Sequence, residues 1–409
     1  MRRGGVSEVP AAYVGSRIAA ARRRRGMSRK VVADLIGRSE EWLRQIENGQ
    51  RQLDSIKYAL RISEVLHLAD LMSTLGLQGR QAPGAVALAN TVGPLRDAIM
   101  SSVGTDVLES RREGHVLEAG FAEQDVAEAW RSWSGRANRY RRTLRLLPPL
   151  IHDASAHLRE ASSTDSVEAA VSVYHLTRTV LSRIGEEQLA WVMADRALVA
   201  AGGRGGSLLL ASAWHGAVCY LRVGCFIEAY RLALAAVAAD QPDSASSTVV
   251  TALRGALRLI AAEAAAGILD AGKSHQLLQE AHRLARELPG DLQPHMIPFG
   301  RTEVGISVVQ VAIRLGRIGE AVQLAAEVDV PDSYLPDRQA RHYMTLAFLH
   351  ARRREDAAAV FALNKVVDIS PEDLRYDERC HQILHQLLRR NNLTIRRDLT
   401  RLADLAGVG

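Results

Sequence analysis

Apolar side chains recur at helical spacing near the start of the chain, in short runs that end at glycine. Val14, Ile18 and Ala21 fall on one helical face, together with the aliphatic stems of Arg22 and Arg25. Gly26 then provides the residue type that most often ends a helix in the left-handed conformation. The pattern therefore predicts a first helix that ends at Gly26.

Two more short helices are predicted directly after this turn. Ser28 is placed to cap the segment SRKVVADLIG, which Gly37 ends, and Ser39 is placed to cap a third helix that ends at Asn48-Gly49. The side chains predicted to face the core from these two helices are Val31, Val32, Leu35, Ile36, Trp42, Leu43 and Ile46.

A fourth helix is predicted over residues 55–66, and a short fifth helix begins at about Ala69. Five short helices in one stretch predict a compact domain with a small core. The second and third helices, joined by Gly37 and Arg38, have the lengths and the turn of a helix-turn-helix.

Length and composition predict that the whole chain is mainly helical and contains more than one domain. A chain of 409 residues predicts two or more domains, and only 5% aromatic residues and 12 prolines favour helix over sheet. No long uncharged apolar run and no signal-peptide pattern is found, so we expect a cytoplasmic protein without a membrane segment. Three cysteines without metal-type spacing agree with a reducing compartment.

Charge divides the chain unevenly. Residues 1–80 contain 15 Lys or Arg against 8 Asp or Glu, a net charge of +7, whereas residues 81–409 contain 37 against 38. All of the excess positive charge therefore lies in the first fifth of the chain. This asymmetry predicts an anionic partner, nucleic acid or a membrane surface, for the N-terminal part only.

The third predicted helix carries side chains that could read bases. The DNA major groove admits one α-helix, whose N-terminal half meets the base edges. Two alternatives stay open: Glu40 and Glu41 could instead stabilise the helix N-terminus, and Trp42 could be a wedge between helices or a cover over the sugar-phosphate backbone. The residues predicted to read bases are Arg29, which would lie over the groove edge, and Glu40, Glu41, Arg44 and Gln45.

The N-terminal segment resembles the Xre/lambda-repressor-like helix-turn-helix family. The matching positions are Gly15, Ile18, Arg22, Gly26, Ser28, Ala33, Leu35, Gly37, Ser39, Ile46, Glu47, Asn48 and Gly49. The resemblance implies a scaffold pair between Arg22 and Glu47, and a phosphate-contacting segment at Asn48 and the 49–51 loop. Many members carry Gln where this chain has Arg29, so their base preference does not transfer. The residues predicted to contact phosphates are Arg25, Ser28, Ser39, Asn48, Gln50, Arg51 and Lys57.

The rest of the chain reads as a linker followed by helical repeats. We predict a helix-turn-helix domain over 1–78, a Gly/Ala/Pro-rich linker over 79–104 and a repeat domain over 105–409. The position five places after a predicted turn recurs at 190, 229, 277, 321 and 357, and four of these five residues are alanine, with leucine at 277. This pattern resembles degenerate tetratricopeptide repeats, although the gaps exceed that family's 34 residues. Another α-solenoid or an alanine-rich bundle is the alternative.

If the repeat frame holds, the first helix of each repeat faces a groove. That groove would suit an extended peptide or a small ligand. The residues predicted to face it are His175, Trp214, Glu303, Gln310 and His342.

Catalytic patterns are weak, so we predict that the protein is not an enzyme and uses no metal or cofactor. The GGRGG segment lacks the Lys-Ser/Thr of a phosphate loop, and no G-x-S-x-G or H-E-x-x-H occurs. His381 and His385, with Cys380 beside them, could clasp a metal, but such a pair on a charged helix is usually structural.

An N-terminal helix-turn-helix joined to helical repeats is similar to bacterial regulators that sense signalling peptides, the RRNPP group. The similarity implies a homodimer on two DNA half-sites, with a repeat domain that dimerises and binds an effector that sets operator affinity. The alternative is a scaffold tethered to DNA that binds a protein partner and no small effector.

Overall fold

The protein is all-α, as predicted. A computed structural model describes residues 15, 18–19, 22–23, 25–51, 53, 58, 61–62, 65–66, 83–101, 123–135, 138–160, 164–202, 205–239, 247–390 and 392–408. Within these residues it contains eighteen α-helices and two 3-10 helices, and the β interaction found there is an isolated antiparallel bridge between Leu292 and Phe299. The chain divides into two compact units, residues 1–82 and 83–409.

The first unit contains α1 (Arg29–Ile36) and α2 (Glu40–Glu47), which pack against each other. Ser28 Oγ accepts a hydrogen bond from the N–H of Val31 at 3.2 Å, and Ser39 Oγ accepts one from the N–H of Trp42 at 3.2 Å. Gly37, between the helices, has φ of 71° in the left-handed region that favours glycine. The predicted caps of both helices are therefore confirmed.

The core of the first unit corrects one prediction. Val31 and Leu35 were expected to face inward, but they are 47% and 58% exposed. Because successive residues of a helix turn by about 100°, these two lie on a different face from Val32 and Ile36. The buried core residues are Ile18, Val32, Ala33, Ile36, Leu43, Ile46, Ile62 and Leu66. Most of the predicted fourth helix, and the fifth up to residue 82, lie outside the described residues.

The second unit is a succession of helices. It begins with α3 (Pro83–Ser101), α4 (Glu123–Ser134) and α5 (Arg139–Glu160). Next come α6 (Thr164–Arg183), α7 (Glu187–Gly202), α8 (Gly206–Arg222), α9 (Phe226–Ala239), α10 (Thr248–Gly267) and α11 (Ala271–Glu287). After a 3-10 helix (Pro294–Met296) follow α12 (Arg301–Arg314), α13 (Ile318–Glu327), α14 (Pro336–Arg352) and α15 (Asp356–Ile369). The unit ends with α16 (Pro371–Tyr376), α17 (Glu378–Arg390), a 3-10 helix (Leu393–Ile395) and α18 (Arg396–Ala406).

The linker predicted over 79–104 is corrected by α3. This helix occupies most of that range, and its Leu95 and Ile99 are fully buried in the core shared with α5 and α6. The Gly/Ala/Pro-rich composition suggested a hinge, but the alanines and the late apolar residues of this segment favour a helix with one buried face. Residues 83–101 therefore belong to the second unit.

Five helical hairpins of the second unit share the same turn. A residue with positive φ ends the first helix, and the N–H after it donates to the carbonyl five positions earlier at 2.9–3.0 Å. This is the Schellman arrangement that ends many helices. The five turn residues, spaced by 39, 45, 47 and 38 positions, are Gly185, Gly224, Leu269, Gly316 and Arg354.

A small residue, fully buried, stands five positions after each of these turns. The structure corrects two of the predicted positions: the third hairpin turns at Leu269 rather than at Gly272, and Ala357 is two places early in the fifth. Small side chains at this place let the paired helices approach closely. The five residues are Ala190, Ala229, Ser274, Ala321 and Ala359.

The second unit also joins helices that are far apart in sequence. Arg139 of α5 donates to Asp373 of α16 at 2.5 Å, and Tyr140 Oη donates to the same carboxylate at 2.6 Å. In a strict nearest-neighbour repeat array, each repeat contacts only the adjacent repeats. The second unit differs from such an array, because a buried ion pair joins helices near its beginning and its end.

Candidate nucleic-acid interface and ligand cavity

A buried ion pair holds the first unit together. Arg22 Nε donates to Glu47 Oε1 at 2.6 Å and Arg22 Nη2 to Oε2 at 3.0 Å, and Nη1 donates to the carbonyl of Met27 at 2.9 Å. Burial raises the pKa of Glu47, but the hydrogen bonds from Arg22 and Arg29 outweigh burial and hold this pKa below its ordinary value. The scaffold pair implied by the family resemblance is confirmed.

Arg29, which was predicted to lie over a groove edge, also contacts the scaffold pair. Its Nε donates to Glu47 Oε2 at 2.7 Å, so the guanidinium joins that ion pair. The side chain remains 35% exposed. The sequence could not reveal this contact, because Glu47 already had a partner in Arg22 and the third member is decided by helix packing.

The outer face of α2 brings together three of the predicted base-reading residues. Arg44 Nε and Nη2 donate to the two carboxylate oxygens of Glu41 at 2.7 and 2.6 Å, and Gln45 donates to Oε1 at 3.1 Å. The hydrogen bond from Arg44 lowers the pKa of Glu41, and the same bond raises the pKa of Arg44. Glu40 is exposed beside them in the first turn of the helix. Glu41 therefore orients the Arg44 guanidinium on the surface of α2.

Arg38 forms an exposed aromatic contact that the sequence reading missed. Its guanidinium lies 4.0 Å from the ring centroid of Tyr58 and 5.5 Å from that of Trp42. The two rings are 5.4 Å apart and tilted by 57°. This contact favours the interpretation of Trp42 as a wedge between helices. The sequence did not predict this contact, because Tyr58 is 20 positions away from Arg38.

Most of the predicted phosphate-contacting residues are exposed on the first unit. Ser28 and Ser39 stand at the N-termini of α1 and α2, where free backbone N–H groups attract anions. Arg25 Nη1 donates to the carbonyl of Val65 at 2.6 Å. Lys57 lies outside the described residues. The exposed members of the set are Arg25, Ser28, Ser39, Asn48, Gln50 and Arg51.

A cavity of about 240 Å³ lies inside the second unit. Its walls come from the first helices of the five hairpins, namely α6, α8, α10, α12 and α14, together with α4 and α17. The first helices of the five hairpins therefore contribute to one cavity wall. Its aromatic lining residues are Trp130, Trp133, Trp214, His215 and Phe226.

The five predicted groove residues divide between the cavity wall and the layer behind it. Trp214, Glu303 and Gln310 line the cavity. His175 is buried behind the wall, where its ring stacks on His215 at 4.0 Å and its Nε2 lies 3.0 Å from Ser212 Oγ. His342 is also buried outside the lining and packs edge-on against Tyr343. Spacing alone could not separate the facing residues from those one step around the helix.

Arginine is the commonest charged residue in the cavity lining, and none of these arginines was among the predicted groove residues. Among the described lining residues, seven arginines face three carboxylates. The missed arginines are Arg178, Arg183, Arg222, Arg314, Arg338, Arg341 and Arg379. The net charge of residues 81–409 is −1, so the composition of this segment gave no sign of a local cluster of arginines.

The metal alternative has no support in the described part of the chain. No group of three or more His, Cys, Asp or Glu residues that could hold a metal is found there. Cys380 is fully buried, and His381 Nε2 lies 2.9 Å from the carbonyl of Arg375. Among the same described residues, no helix combines the length and the apolar character needed to span a bilayer.

Comparison with known families supports the assignment of the first unit. Residues 14–75 match the family described as a helix-turn-helix domain. The match covers α1, α2 and the Arg22–Glu47 pair, and it does not extend into the second unit. Among curated proteins and among solved structures, nothing matches the chain. The helix-turn-helix match suggests that the first unit belongs to a DNA-binding regulator.

Proposed function

We propose that the protein is a sequence-specific transcription regulator of the Xre type that binds DNA as a homodimer. In this proposal the second unit is a tetratricopeptide-like array that dimerises and binds an effector. The observation that carries the proposal is the solvent-facing Glu41–Arg44–Gln45 cluster on the second helix of a matched helix-turn-helix domain. Such a helix is the element that enters the major groove.

In the proposed complex, Arg44 reads a base. The carboxylate of Glu41 occupies two of its N–H groups and fixes the guanidinium plane, so the remaining N–H groups are preoriented. Arginine forks onto the O6 and N7 of guanine, and Glu40 can accept from a cytosine amino group. Gln45 extends the readout, whereas Arg29 contributes only through the part of its side chain that Glu47 leaves exposed.

The phosphate contacts flank this helix. Ser28 and Ser39 would present the N-termini of α1 and α2 to the DNA backbone, and Arg25, Asn48, Gln50, Arg51 and Lys57 would bind phosphates around them. A homodimer would place two such heads on half-sites about one helical turn, or ~34–36 Å, apart. An effector with different affinities for two states of the second unit would then change operator affinity.

Selection of bound duplexes from a random pool, with the full chain as bait, tests this function. We expect a two-fold symmetric motif, and affinity for it should fall steeply as salt rises. Arg44→Ala should relax the preference at one position of each half-site, whereas Arg283→Gln, a change on the exposed face of α11, should leave the motif unchanged. Failure to enrich any duplex, with no salt-sensitive binding, would refute the proposal.

A further inference from the structure

Hydrogen-bond donors outnumber carboxylate acceptors in the described lining of the cavity, which contains seven arginines and three carboxylates. Four lining arginines have carboxylate partners: Arg183 with Asp337, Arg222 with Glu187, Arg314 with Glu263 and Arg338 with Glu303, at distances from 2.5 to 3.6 Å. Glu187 stands outside the lining, so the balance within the wall stays positive.

Arg178 is the most deeply buried donor of the set. It is 4% exposed, and the bond that holds it runs from its Nε to Nδ1 of His215 at 2.8 Å. Within the described residues no carboxylate forms an ion pair with it. Because an unpaired guanidinium in a buried place is costly, a negatively charged group beside it would be strongly favoured.

His215 adds a neutral donor to the same wall. Since Arg178 donates to Nδ1, that nitrogen carries no proton, and the ring proton lies on Nε2. Burial, and then the nearby His175 and Arg178, hold the pKa of His215 well below its ordinary value, so the ring is neutral. Nε2 is buried and makes no hydrogen bond within the described part of the chain.

Arg341 of α14 provides the third donor. Among the described residues it has no ion-pair partner, although it lines the cavity with Arg338 and Arg379. Repulsion from Arg183, and then burial, lower its pKa far below the ordinary value for arginine. Burial, and repulsion from Arg222 and Arg183, also lower the pKa of Arg178, to about 10. The positive charges of this wall therefore repel one another.

We propose that the cavity binds a small organic anion, a carboxylate or a phosphate ester with an apolar body, through Arg178, Arg341 and the Nε2–H of His215. The apolar body packs against Trp214 and the neighbouring rings of Trp130 and Trp133. A cavity of about 240 Å³ lies just below the ~300–1,000 Å³ usual for ligand pockets, so it suits a small molecule better than an extended peptide. The effect of the anion on DNA rests on the proposed function, whereas its binding does not.

Calorimetric titration of the full chain, without DNA, tests the proposal with four probes: phenyl phosphate, benzoate, the neutral benzamide and inorganic phosphate. We expect at least one of the two aromatic anions to bind at least about tenfold more tightly than benzamide, because charge-assisted hydrogen bonds replace neutral ones. Inorganic phosphate should bind more weakly than phenyl phosphate. The preference between phenyl phosphate and benzoate identifies the anionic group. Equal affinity for benzamide, or no binding of either aromatic anion at millimolar concentration, would overturn the proposal.

A pair of matched variants locates the site. Arg341→Gln removes the charge but keeps a polar side chain at a half-buried position, and it should weaken the better anion about tenfold or more without changing benzamide binding. Arg283→Gln is the same change on the exposed face of α11 and should leave both unchanged. Full anion affinity in Arg341→Gln, with the fold confirmed by circular dichroism, would exclude the site. If the protein binds the anion but no duplex, the regulator proposal fails alone; duplex binding without anion binding refutes only the cavity proposal.

Discussion

The two units both concentrate arginine at their candidate sites, but they hold it in opposite surroundings. Arg25, Arg38 and Arg51 of the first unit are exposed, whereas Arg178 of the second is 4% exposed beside an internal cavity. Exposed charge attracts a polyanion over a distance and is screened by salt. Buried charge is screened much less and responds to whichever anion fits the cavity. The same residue type therefore lies in two electrostatic environments, which differ because burial removes screening by solvent and salt.

Loss of a buried carboxylate should destabilise the protein more than any other change considered below. Asp373→Asn removes the charge that Arg139 and Tyr140 contact, and among the carboxylates of the described residues it leaves the fully buried guanidinium with the more distant Asp337, at 3.5 Å. We expect the free energy of unfolding of the second unit to fall by about 3–5 kcal/mol. Urea unfolding followed by circular dichroism measures this loss.

The control for that change is an exposed pair. Arg317 and Glu320 are 3.6 Å apart, and about half of each side chain is exposed. Glu320→Gln should alter stability by less than about 1 kcal/mol. If the two variants lose equal stability, the Arg139–Asp373 pair does not hold the distant helices together.

The next effect separates base reading from phosphate contact within the exposed set. Arg44→Ala should cost about 1–3 kcal/mol on the selected motif and relax its preference at one position. Arg51→Ala should weaken all duplexes alike and lower the steepness of the salt dependence by about one contact per head. Fluorescence anisotropy on matched and mismatched duplexes measures both. Equal losses on every duplex for Arg44→Ala would remove its base-reading role.

A pH titration tests how much the ion-paired carboxylate of Glu47 contributes to the stability of the first unit. The pKa of Glu47 is lower in the folded protein than its ordinary value, so its stabilising contribution is present above about pH 4.3. That contribution is lost as the pH falls through the folded pKa, by at most about 1.4 kcal/mol per pH unit. Amide hydrogen exchange of α1 and α2 in the full chain, compared with Glu47→Gln at each pH, isolates this loss. The variant should lack it, and an identical acid profile in both proteins would contradict the assignment.

The smallest effect concerns the helix caps. Ser39→Ala removes the acceptor for the N–H of Trp42 and should destabilise the first unit by about 1 kcal/mol. Ser247 precedes α10 in the same position but makes no side-chain cap hydrogen bond, so Ser247→Ala should be close to neutral in the second unit. Hydrogen exchange of α2 and of α10 reports both. A larger change at Ser247 than at Ser39 would contradict the capping argument.

Local structure in both units could be predicted well from the sequence. The caps at Ser28 and Ser39, the turns at Gly37, Gly185 and Gly224, and their helices follow from local residue preferences. The exceptions are turns without glycine. Leu269 and Arg354 adopt the same left-handed conformation with φ of 63°, which the conformational preferences of leucine and arginine do not predict.

The candidate sites were predicted less completely than the helices. The face of α2 follows from helical spacing, so Glu40, Glu41 and Arg44 were placed on one surface in advance. The second partner of Glu47 could not be anticipated, because Arg29 reaches it through the packing of α1 against α2. The contact between Arg38 and Tyr58 also depends on tertiary packing, because the two residues are 20 positions apart in the sequence.

The helical class, the basic N-terminal helix-turn-helix and the series of hairpins follow from the order of residues, because these features depend on neighbours within a few positions. Tertiary packing was needed to show that α3 is a helix packed in the second unit, that Arg139 contacts Asp373, and that seven arginines line one cavity. Those arrangements join side chains from helices far apart along the chain. Burial and pairing of charge are set by packing, which the order of residues does not display.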